Sequence, residues 1–469
     1  MPTSPSEATG ADRPYDLAVI GAGPAGLAGA VTAADQGLRC VLLDAGARPG
    51  GQYYRHPSPA LHAARPDRLH HHWPVYTGLA DRLAEHRAAG RIDYLPQHHV
   101  HLLERRDPWR LHAATGADSG GRATVTARAV LLATGAYERQ LPFPGWTLPG
   151  VVTAGGAQAM LKAGLVLPGS RVVVAGSGPL LLAAAASLTA AGAEVPAVVE
   201  AGNYLGYARR PGVLAANPAK LVEAVTHGAA LARHTVRLRR SSAVVEAHGT
   251  DRVSAVTVAR LDRDWRPVPG SERKIACDAL AIGHGLVPQL ELATELGAAT
   301  RQVPDGTLAL AVDRRQQTTV PGLWAAGETC GVGGAELAAA EGELAALAVA
   351  DRAPAGRALS ARRRLRGFAE LMAAAHRPGP SWRDWLRPET EVCRCEEVTA
   401  GQIDEAVTEL GATDPRSVKL LTRAGMGWCQ GRMCGPAVAC LSGSDKPTAD
   451  SRPLSCPVRL GDLAALPED

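Results

Sequence analysis

The sequence has 469 residues, about three times the ~150 of one domain, so we expect two or three separate cores. Hydrophobic residues at 46% and charged residues at 20% are typical of a globular chain and exclude a disordered one. A formal net charge of +4 and an aromatic content of 4% do not favour nucleic acid as a partner. Four of the nine cysteines cluster late in the sequence, which predicts a reducing compartment and a bound metal.

The first predicted element after an N-terminal tail is a βαβ unit. Residues 1–13 lack the basic and apolar regions of a signal peptide, so we expect a disordered tail. A β-rich run ends at Ile20 and is followed by Gly21-Ala22-Gly23-Pro24-Ala25-Gly26, a helical pattern and a second strand that ends at Asp44. The glycines would let a pyrophosphate approach the helix N-terminus, and Asp44 could accept hydrogen bonds from adenosine hydroxyls. This order of elements predicts a dinucleotide site rather than an empty turn.

The same order recurs from Val172 and predicts a second, weaker nucleotide fold. Its turn reads Gly176-Ser177-Gly178-Pro179-Leu180-Leu181, and its second strand ends at Glu200. Leu181 stands where a third glycine would let the helix pack closely on the sheet, so we expect the two to be pushed apart. Glu200 would repel a 2′-phosphate and favour NAD over NADP. A vestigial fold, or one that binds another adenine nucleotide, is a nearly equal alternative.

Three further segments make the first fold resemble FAD-binding members of the two-dinucleotide-binding-domain flavoprotein family. They are Gly50-Gly51-Gln52, Ala133-Thr134-Gly135 at the end of an apolar strand, and Gly327-Glu328 at the end of another. The resemblance implies FAD in the first domain, with Val100 as a further contact. It also implies that Glu328 lies near the ribityl chain of the flavin, where most members of the family carry the shorter Asp.

The cysteine cluster is the most specific motif. Cys393 and Cys395 form C-x-C, and Cys429 and Cys434 form C-x4-C after thirty-three intervening residues. Four thiolates suit zinc or an iron–sulfur centre, so the ligand count leaves both open. Glycines at 425, 427, 431 and 435 surround the second pair and could point backbone N–H groups at sulfur. The segment resembles the bacterioferritin-associated-ferredoxin-like domain, which implies that the four cysteines bind [2Fe-2S].

Two helices are predicted between the cysteine pairs. Thr399 and Gln402 fit a capping box at the start of the first helix, and Asp414-Pro415 predicts the start of the second. Upstream, four arginines between 362 and 366 predict a linker helix whose basic face is solvated.

The remaining cysteines and the histidine runs have structural interpretations. Cys40 and Cys277 fall in apolar strand patterns, and Cys330 lacks the C-x-x-C partner that a disulfide reductase needs. Adjacent histidines, as at 70–72 and at 98, 99 and 101, do not share one face of a strand, and no carboxylate pattern joins them, so we expect surface or packing roles rather than metal binding.

The expected fold class is α/β, with two Rossmann-like dinucleotide-binding domains, the first discontinuous, and a small C-terminal α-helical [2Fe-2S] domain. The expected segments are a tail (1–13), the FAD-binding domain (14–165 and 285–350), the second nucleotide domain (166–284), a helical linker (351–388), the cysteine domain (389–441) and a tail (442–469). Apolar stretches at 17–34 and 172–193 are each broken by a glycine turn, so we expect no transmembrane segment.

Most of the chain resembles the FAD- and [2Fe-2S]-containing α subunits of heteromeric amine dehydrogenases and oxidases, such as opine oxidase, hydrogen cyanide synthase, and proline and hydroxyproline dehydrogenases. Residues 135–162, 285–297 and 423–441 carry this likeness. The resemblance implies that a D-amino-acid-oxidase-like flavoprotein β subunit oxidises the substrate. It is compatible with a small ferredoxin-like subunit, and with FMN at a subunit interface.

The residues themselves agree with a division of labour between subunits. Nearly every long segment belongs to a nucleotide fold or to the cysteine domain, and no arrangement of acid, base or nucleophile is recognisable, so we assign no catalytic residue. The expected function is FAD-dependent electron transfer within a complex, in the cytoplasm or attached to the membrane surface through that complex. The alternatives are a free-standing NAD(P)H-dependent reductase, and a structural subunit whose first site binds an adenine nucleotide other than FAD.

Overall fold

The computed structural model describes residues 13–116, 120–444 and 452–464. Strands β1–β22 and helices α1–α13 are numbered in chain order. Apart from Arg13, the tail predicted at 1–13 lies outside the described residues. Within the described ranges, no helix combines the length and the apolar character needed to cross a membrane.

The first nucleotide fold is built on a five-stranded parallel sheet in the order β20-β7-β1-β2-β3. The strands are β1 (Leu17–Ile20), β2 (Cys40–Asp44), β3 (Ile92–Pro96), β7 (Val130–Leu132) and β20 (Leu323–Ala325). Helices α1 (Pro24–Asp35), α2 (Trp73–Ala88) and α8 (Ala335–Val349) accompany them. All four residues of β1 are buried, as expected for a parallel strand that is covered on both faces. Because β20 pairs with β7, this domain is discontinuous, as predicted.

Smaller elements surround the first sheet. An antiparallel meander consists of β4 (His98–Glu104), β5 (Trp109–Thr115) and β6 (Gly121–Ala127). Two ribbons pair β8 (Ala136–Glu138) with β17 (Leu286–Pro288), and β18 (Thr300–Gln302) with β19 (Leu308–Leu310). The short helix α7 (Glu291–Thr294) follows β17.

The second nucleotide fold repeats the parallel sheet in the order β12-β11-β10-β16-β9. The strands are β9 (Val151–Thr153), β10 (Val172–Gly176), β11 (Ala197–Glu200), β12 (Arg237–Arg240) and β16 (Ala279–Gly283). The helices are α3 (Ala154–Gly164), α4 (Leu180–Ala190), α5 (Pro211–Ala215) and α6 (Pro218–Arg233). An antiparallel sheet of β13 (Ser242–His248), β14 (Ala255–Arg260) and β15 (Arg273–Ala276) packs beside it. Since β9 belongs to this sheet, its hydrogen bonding starts before the boundary expected at residue 165.

Helix α9 (Gly356–Ala375) corrects the prediction of a solvated basic linker. Arg366 donates to the carboxylate of Glu341 on α8 at 2.6 Å, and Glu341 is fully buried. Arg364 donates to Glu336 at 3.0 Å and to the side-chain oxygen of Asn217 at 2.9 Å. A buried carboxylate is stabilised by a paired cation, so Arg366 and Arg364 are turned toward the protein, whereas Arg363 remains exposed to solvent.

The cysteine domain contains β21 (Glu391–Cys393), β22 (Val398–Thr399), α10 (Ala400–Thr408), α11 (Pro415–Thr422) and α12 (Gly435–Leu441). Both predicted helix starts are confirmed. Thr399 and Gln402 form a complete capping box, and the Asp414 carboxylate accepts from two backbone N–H groups of the first turn of α11. Ile403 and Val418 bury the facing sides of the two helices, which closes the domain around the cysteines.

Part of the segment expected as a C-terminal tail packs on the first domain. Residues 452–464 include α13 (Leu460–Ala464). The backbone N–H of Ser455 donates to the carbonyl of His101 at 2.9 Å, and its hydroxyl donates to the carbonyl of Val100 at 3.2 Å. Arg432, between the second pair of cysteines, donates to the carbonyl of Ser455 and forms an ion pair with Glu291 at 3.0 Å. This segment therefore ties the cysteine loop to the first domain.

Candidate cofactor sites

The turn between β1 and α1 has the shape that a pyrophosphate needs. Gly21 adopts φ +102°, and a Cβ there would lie 2.3 Å from the carbonyl oxygen of Ala133. A Cβ on Gly26 would lie 1.8 Å from the carbonyl oxygen of Gly21, so glycine is required for this close approach. The first turn of α1, entered through Gly23 and Pro24, carries no acidic or capping side chain, which leaves backbone N–H groups for an anion.

Two of the predicted FAD-binding segments meet at this turn. A Cβ on Gly51 would lie 2.8 Å from the Cα of Gly23, so the loop after β2 lies against the glycine turn. A Cβ on Gly327 would lie 2.9 Å from the Cβ of Ala25, which places the end of β20 at the start of α1. These close approaches form a cradle whose walls are backbone, and its shape fits a dinucleotide.

The other residues expected to contact FAD lie on segments next to this cradle or packed beside β2. Thr134 and Gly135 directly follow the carbonyl that contacts the glycine turn, and the Thr134 hydroxyl donates to a carbonyl of the loop after β17 at 3.1 Å. The side-chain oxygen of Gln52 accepts from Arg55 at 2.6 Å. Val100 is buried in β4, a strand of the meander that packs beside β2.

Asp44 stands at the end of β2, next to the glycine turn. Its carboxylate accepts from the backbone N–H of Ala22 and from that of Gly46, the latter at 2.6 Å. Burial raises the pKa of the Asp44 carboxyl, and the two hydrogen bonds oppose that shift. The side chain remains partly exposed, so it can still accept from an adenosine hydroxyl.

Glu328 is turned toward the start of α8. Its two carboxylate oxygens accept from the backbone N–H groups of Gly333 at 2.9 Å and Gly334 at 3.0 Å. Burial raises the pKa of the Glu328 carboxyl, against the effect of these bonds. The expected contact with a flavin side chain therefore competes with two backbone donors. The neighbouring Cys330 is buried, which raises the pKa of its thiol to about 12 and keeps it protonated.

The second glycine turn has the same backbone shape. Gly176 adopts φ +134°, and a Cβ there would lie 1.7 Å from the carbonyl oxygen of Gly283 on β16. Gly178 adopts φ +118°, and Leu181 is buried at the start of α4. Glu200 ends β11 and is fully buried. Burial acts to raise the pKa of its carboxyl, but hydrogen bonds from neighbouring groups outweigh burial and hold the pKa below its usual value.

The four late cysteines come together as two pairs. The Cys434 thiol donates to Cys393, which lowers the pKa of Cys393 to about 5 and raises that of Cys434. Cys395 lies within hydrogen-bonding reach of Cys429. Within the described residues, no group of three or more His, Cys, Asp or Glu side chains is placed to hold a single metal ion. Two pairs of thiols are the donor set of a [2Fe-2S] cluster, which takes two cysteines at each iron.

The two pairs differ in exposure. Cys393 and Cys434 are buried, whereas Cys395 is exposed and Cys429 is partly exposed. Trp428, directly before Cys429, has 81% of its surface exposed, a feature that sequence reasoning did not single out. A cluster held here would therefore have one side in the protein and one side at the surface.

Glycines allow the backbone to approach the thiols. The backbone N–H of Gly425 donates to Cys393 Sγ at 3.4 Å, as the glycine-rich sequence predicts. A Cβ on Gly427 would lie 2.3 Å from the Cβ of Cys395, so a larger residue there would displace this ligand.

The histidine runs make packing contacts. His70 stacks on Trp73 with ring centroids 4.7 Å apart, and His71 packs edge-on against His227 at 4.9 Å. His101 is buried in β4. Another buried histidine, His284, packs against aromatic rings beside the cysteine domain, which the sequence did not indicate.

Sequence profiles of two known families match the chain where these sites lie. The profile of the pyridine nucleotide-disulphide oxidoreductase family matches residues 15–350, and that of the BFD-like [2Fe-2S] binding domain matches residues 391–441. The chain therefore belongs to the pyridine nucleotide-disulphide oxidoreductase family and carries a BFD-like domain. It is an oxidoreductase that uses FAD and a [2Fe-2S] cluster, which confirms the predicted fold class and both cofactors and disfavours zinc.

Individual proteins that are similar to this chain indicate a more specific group of relatives. The chain is 36% identical to hydrogen cyanide synthase subunit HcnB of Pseudomonas aeruginosa, over 89% of this chain and 90% of that protein. It is 36% identical to an opine oxidase subunit from Agrobacterium tumefaciens, over 97% of this chain and 92% of that protein. The crystal structure of L-proline dehydrogenase from P. horikoshii shares the fold, with a TM-score of 0.65 at 20% identity over 96% of this chain and 79% of that chain. The predicted resemblance to α subunits of amine dehydrogenases and oxidases is thus confirmed.

Proposed function

We propose that this chain is the electron-transferring flavin and [2Fe-2S] subunit of a heteromeric dehydrogenase or oxidase acting on the C–N bond of an amino acid or an opine. Two relatives that align along nearly their whole length are themselves named as subunits of larger enzymes. The observation that carries the proposal is one chain that combines a dinucleotide cradle with two pairs of cysteines, one buried and one at the surface. FAD can accept two electrons and release them singly, and a [2Fe-2S] cluster carries one.

The residues of this chain bind and position the cofactors. The glycine turn and the N-terminus of α1 would hold the pyrophosphate, and Asp44 would hold the adenosine. Cys393 and Cys434 would hold the buried side of the cluster. Cys395 and Cys429 would hold the exposed side, where a one-electron partner can approach.

The substrate is oxidised on a partner in this proposal. The partner is a D-amino-acid-oxidase-like β subunit, while FMN at an interface and a small ferredoxin-like subunit are further components to be tested. None of the nine cysteines forms a disulfide bond, which supports a reducing, cytoplasmic compartment.

The experiment compares the purified chain with the complex that it forms with the proposed D-amino-acid-oxidase-like β subunit. We expect flavin and two irons per chain in both samples, and amine oxidation only by the complex. Cys429→Ser should lose iron, whereas Cys440→Ser, a cysteine of the same domain outside the two pairs, should retain it.

Four results would contradict the proposal. Zinc without iron in the purified chain would show that the four cysteines do not form an electron-transfer site. Amine oxidation by the isolated chain would show that the substrate is not oxidised on a partner. Rapid bleaching of the flavin by NADH in the isolated chain would favour the free-standing reductase instead. A complex whose flavin resides in the partner alone would favour a structural role for this chain.

A further inference from the structure

The two nucleotide folds place an acidic residue at the same position but surround it differently. The second strand of each βαβ unit ends on the acid, Asp44 in the first fold and Glu200 in the second. In dinucleotide-binding folds this carboxylate accepts from the hydroxyls of the adenosine ribose, so it must face the ligand. Asp44 is partly exposed, whereas Glu200 has 0% of its surface exposed.

The carboxylate of Glu200 is already engaged by groups of this chain. Its Oε1 accepts from the backbone N–H of Gly202 at 2.7 Å, and its Oε2 accepts from Gly178 at 3.1 Å. The Tyr204 hydroxyl donates to Oε2 at 3.3 Å, and Nδ1 of His376 lies 3.5 Å from Oε1. A carboxylate offers about four acceptor sites, so a ribose would have to displace one of these partners.

His376 reaches this position from outside the fold. It follows α9 directly and is buried. Its Nδ1 lies 3.3 Å from the hydroxyl of Ser177 in the glycine turn, and its Nε2 lies 3.0 Å from the Tyr207 hydroxyl. Its ring also packs edge-on against Tyr204, with centroids 5.7 Å apart. The imidazole is therefore held from several sides between the glycine turn and the acid.

We propose that His376 closes the second nucleotide fold to NAD(H) by occupying the place of the adenosine ribose. The glycine turn and the acid at the end of β11 are the groups between which that ribose would lie, and the imidazole contacts both. For NADH to bind, the end of α9 would have to withdraw and Glu200 would have to exchange partners. Affinity would fall in proportion to the population of that open form. The proposal concerns the second fold alone and does not depend on the electron-transfer function.

The test is NADH binding to the full-length protein loaded with flavin and iron, measured by isothermal titration calorimetry. We expect no binding by the wild type up to about 1 mM NADH, the weak end of the affinity scale. Tyr204→Phe combined with His376→Ala removes two partners of Glu200 and should raise the affinity at least about 10-fold, into the measurable range. The matched control is His227→Ala, which truncates a buried histidine that packs on His71 and should behave as the wild type.

Two results would overturn this proposal. The first is NADH binding by the wild type with a Kd below about 1 mM. The second is a double variant that keeps the wild-type flavin content, iron content and Tm but still fails to bind NADH. If the double variant does not fold, His376→Ala alone is judged by the same criteria. Because these results leave iron and flavin content unchanged, they are distinguishable from a failure of the proposed electron-transfer function.

Discussion

Replacing Arg366 by methionine tests the buried ion pair that joins α8 to α9. Glu341 has 0% of its side chain exposed and Arg366 has 15%, and their closest atoms are 2.6 Å apart. Removing one partner of a buried pair typically costs about 3–5 kcal/mol, because the other charge is left uncompensated. Arg362 lies 3.7 Å from the same carboxylate and can replace part of the lost charge. We therefore expect Arg366→Met to lower the free energy of unfolding by about 3 kcal/mol, the lower end of that range.

Thermal unfolding followed by circular dichroism measures the effect. For domains of this size about 3 kcal/mol corresponds to a Tm lower by about 6–12 °C. Flavin content should fall as well, because the other oxygen of Glu341 accepts from the backbone N–H of Gly327 at 3.0 Å, beside the start of α1. The control is Arg357→Met on the same helix, where an arginine with 84% of its side chain exposed pairs with Glu343 and should contribute less than about 1 kcal/mol. Equal Tm values for Arg366→Met and the control would refute this reasoning.

Two other predictions concern the cysteine domain and a buried lysine. Gly427→Ala should weaken metal binding about 10-fold or more, because its Cβ would collide with Cys395, whereas Gly435→Ala has open space and should retain iron. Iron analysis of folded samples measures this, and equal iron content would contradict it. Burial lowers the pKa of Lys162 from 10.5 to about 8, so the folded chain favours the neutral amine. As pH rises from 8 to 10.5, the Tm of the wild type should therefore increase relative to that of Lys162→Met. The control is Lys274→Met, which replaces an exposed lysine and should not show this trend. A Tm difference between the wild type and Lys162→Met that does not change with pH would contradict the prediction.

Features that depend on neighbouring residues could be predicted from the sequence. The glycine turns follow their strands directly, and each turn needs only local backbone conformation. The capping box of Thr399 and Gln402 and the cap at Asp414 likewise act within three residues. The four cysteines were identifiable from their spacing, but the arrangement into two pairs, Cys393 with Cys434 and Cys395 with Cys429, depends on how α10 and α11 fold between them.

Contacts between distant segments could not be predicted. The position of Glu200 at the end of the second strand favours a ribose-binding role. Nothing near Glu200 in the sequence indicates that His376 packs against it. The basic stretch of α9 is typical of a solvated face, but Glu341 on α8 is fully buried and pairs with Arg366. In both cases an interior carboxylate is satisfied by a group whose position depends on tertiary packing.

Helix α9 also has a mechanical consequence. Through Arg366 it is attached to the first fold, and through Arg364 and His376 it is attached to the second. A hinge rotation of one fold against the other would have to break these attachments. We therefore expect α9 to oppose rotation of the two nucleotide folds against each other.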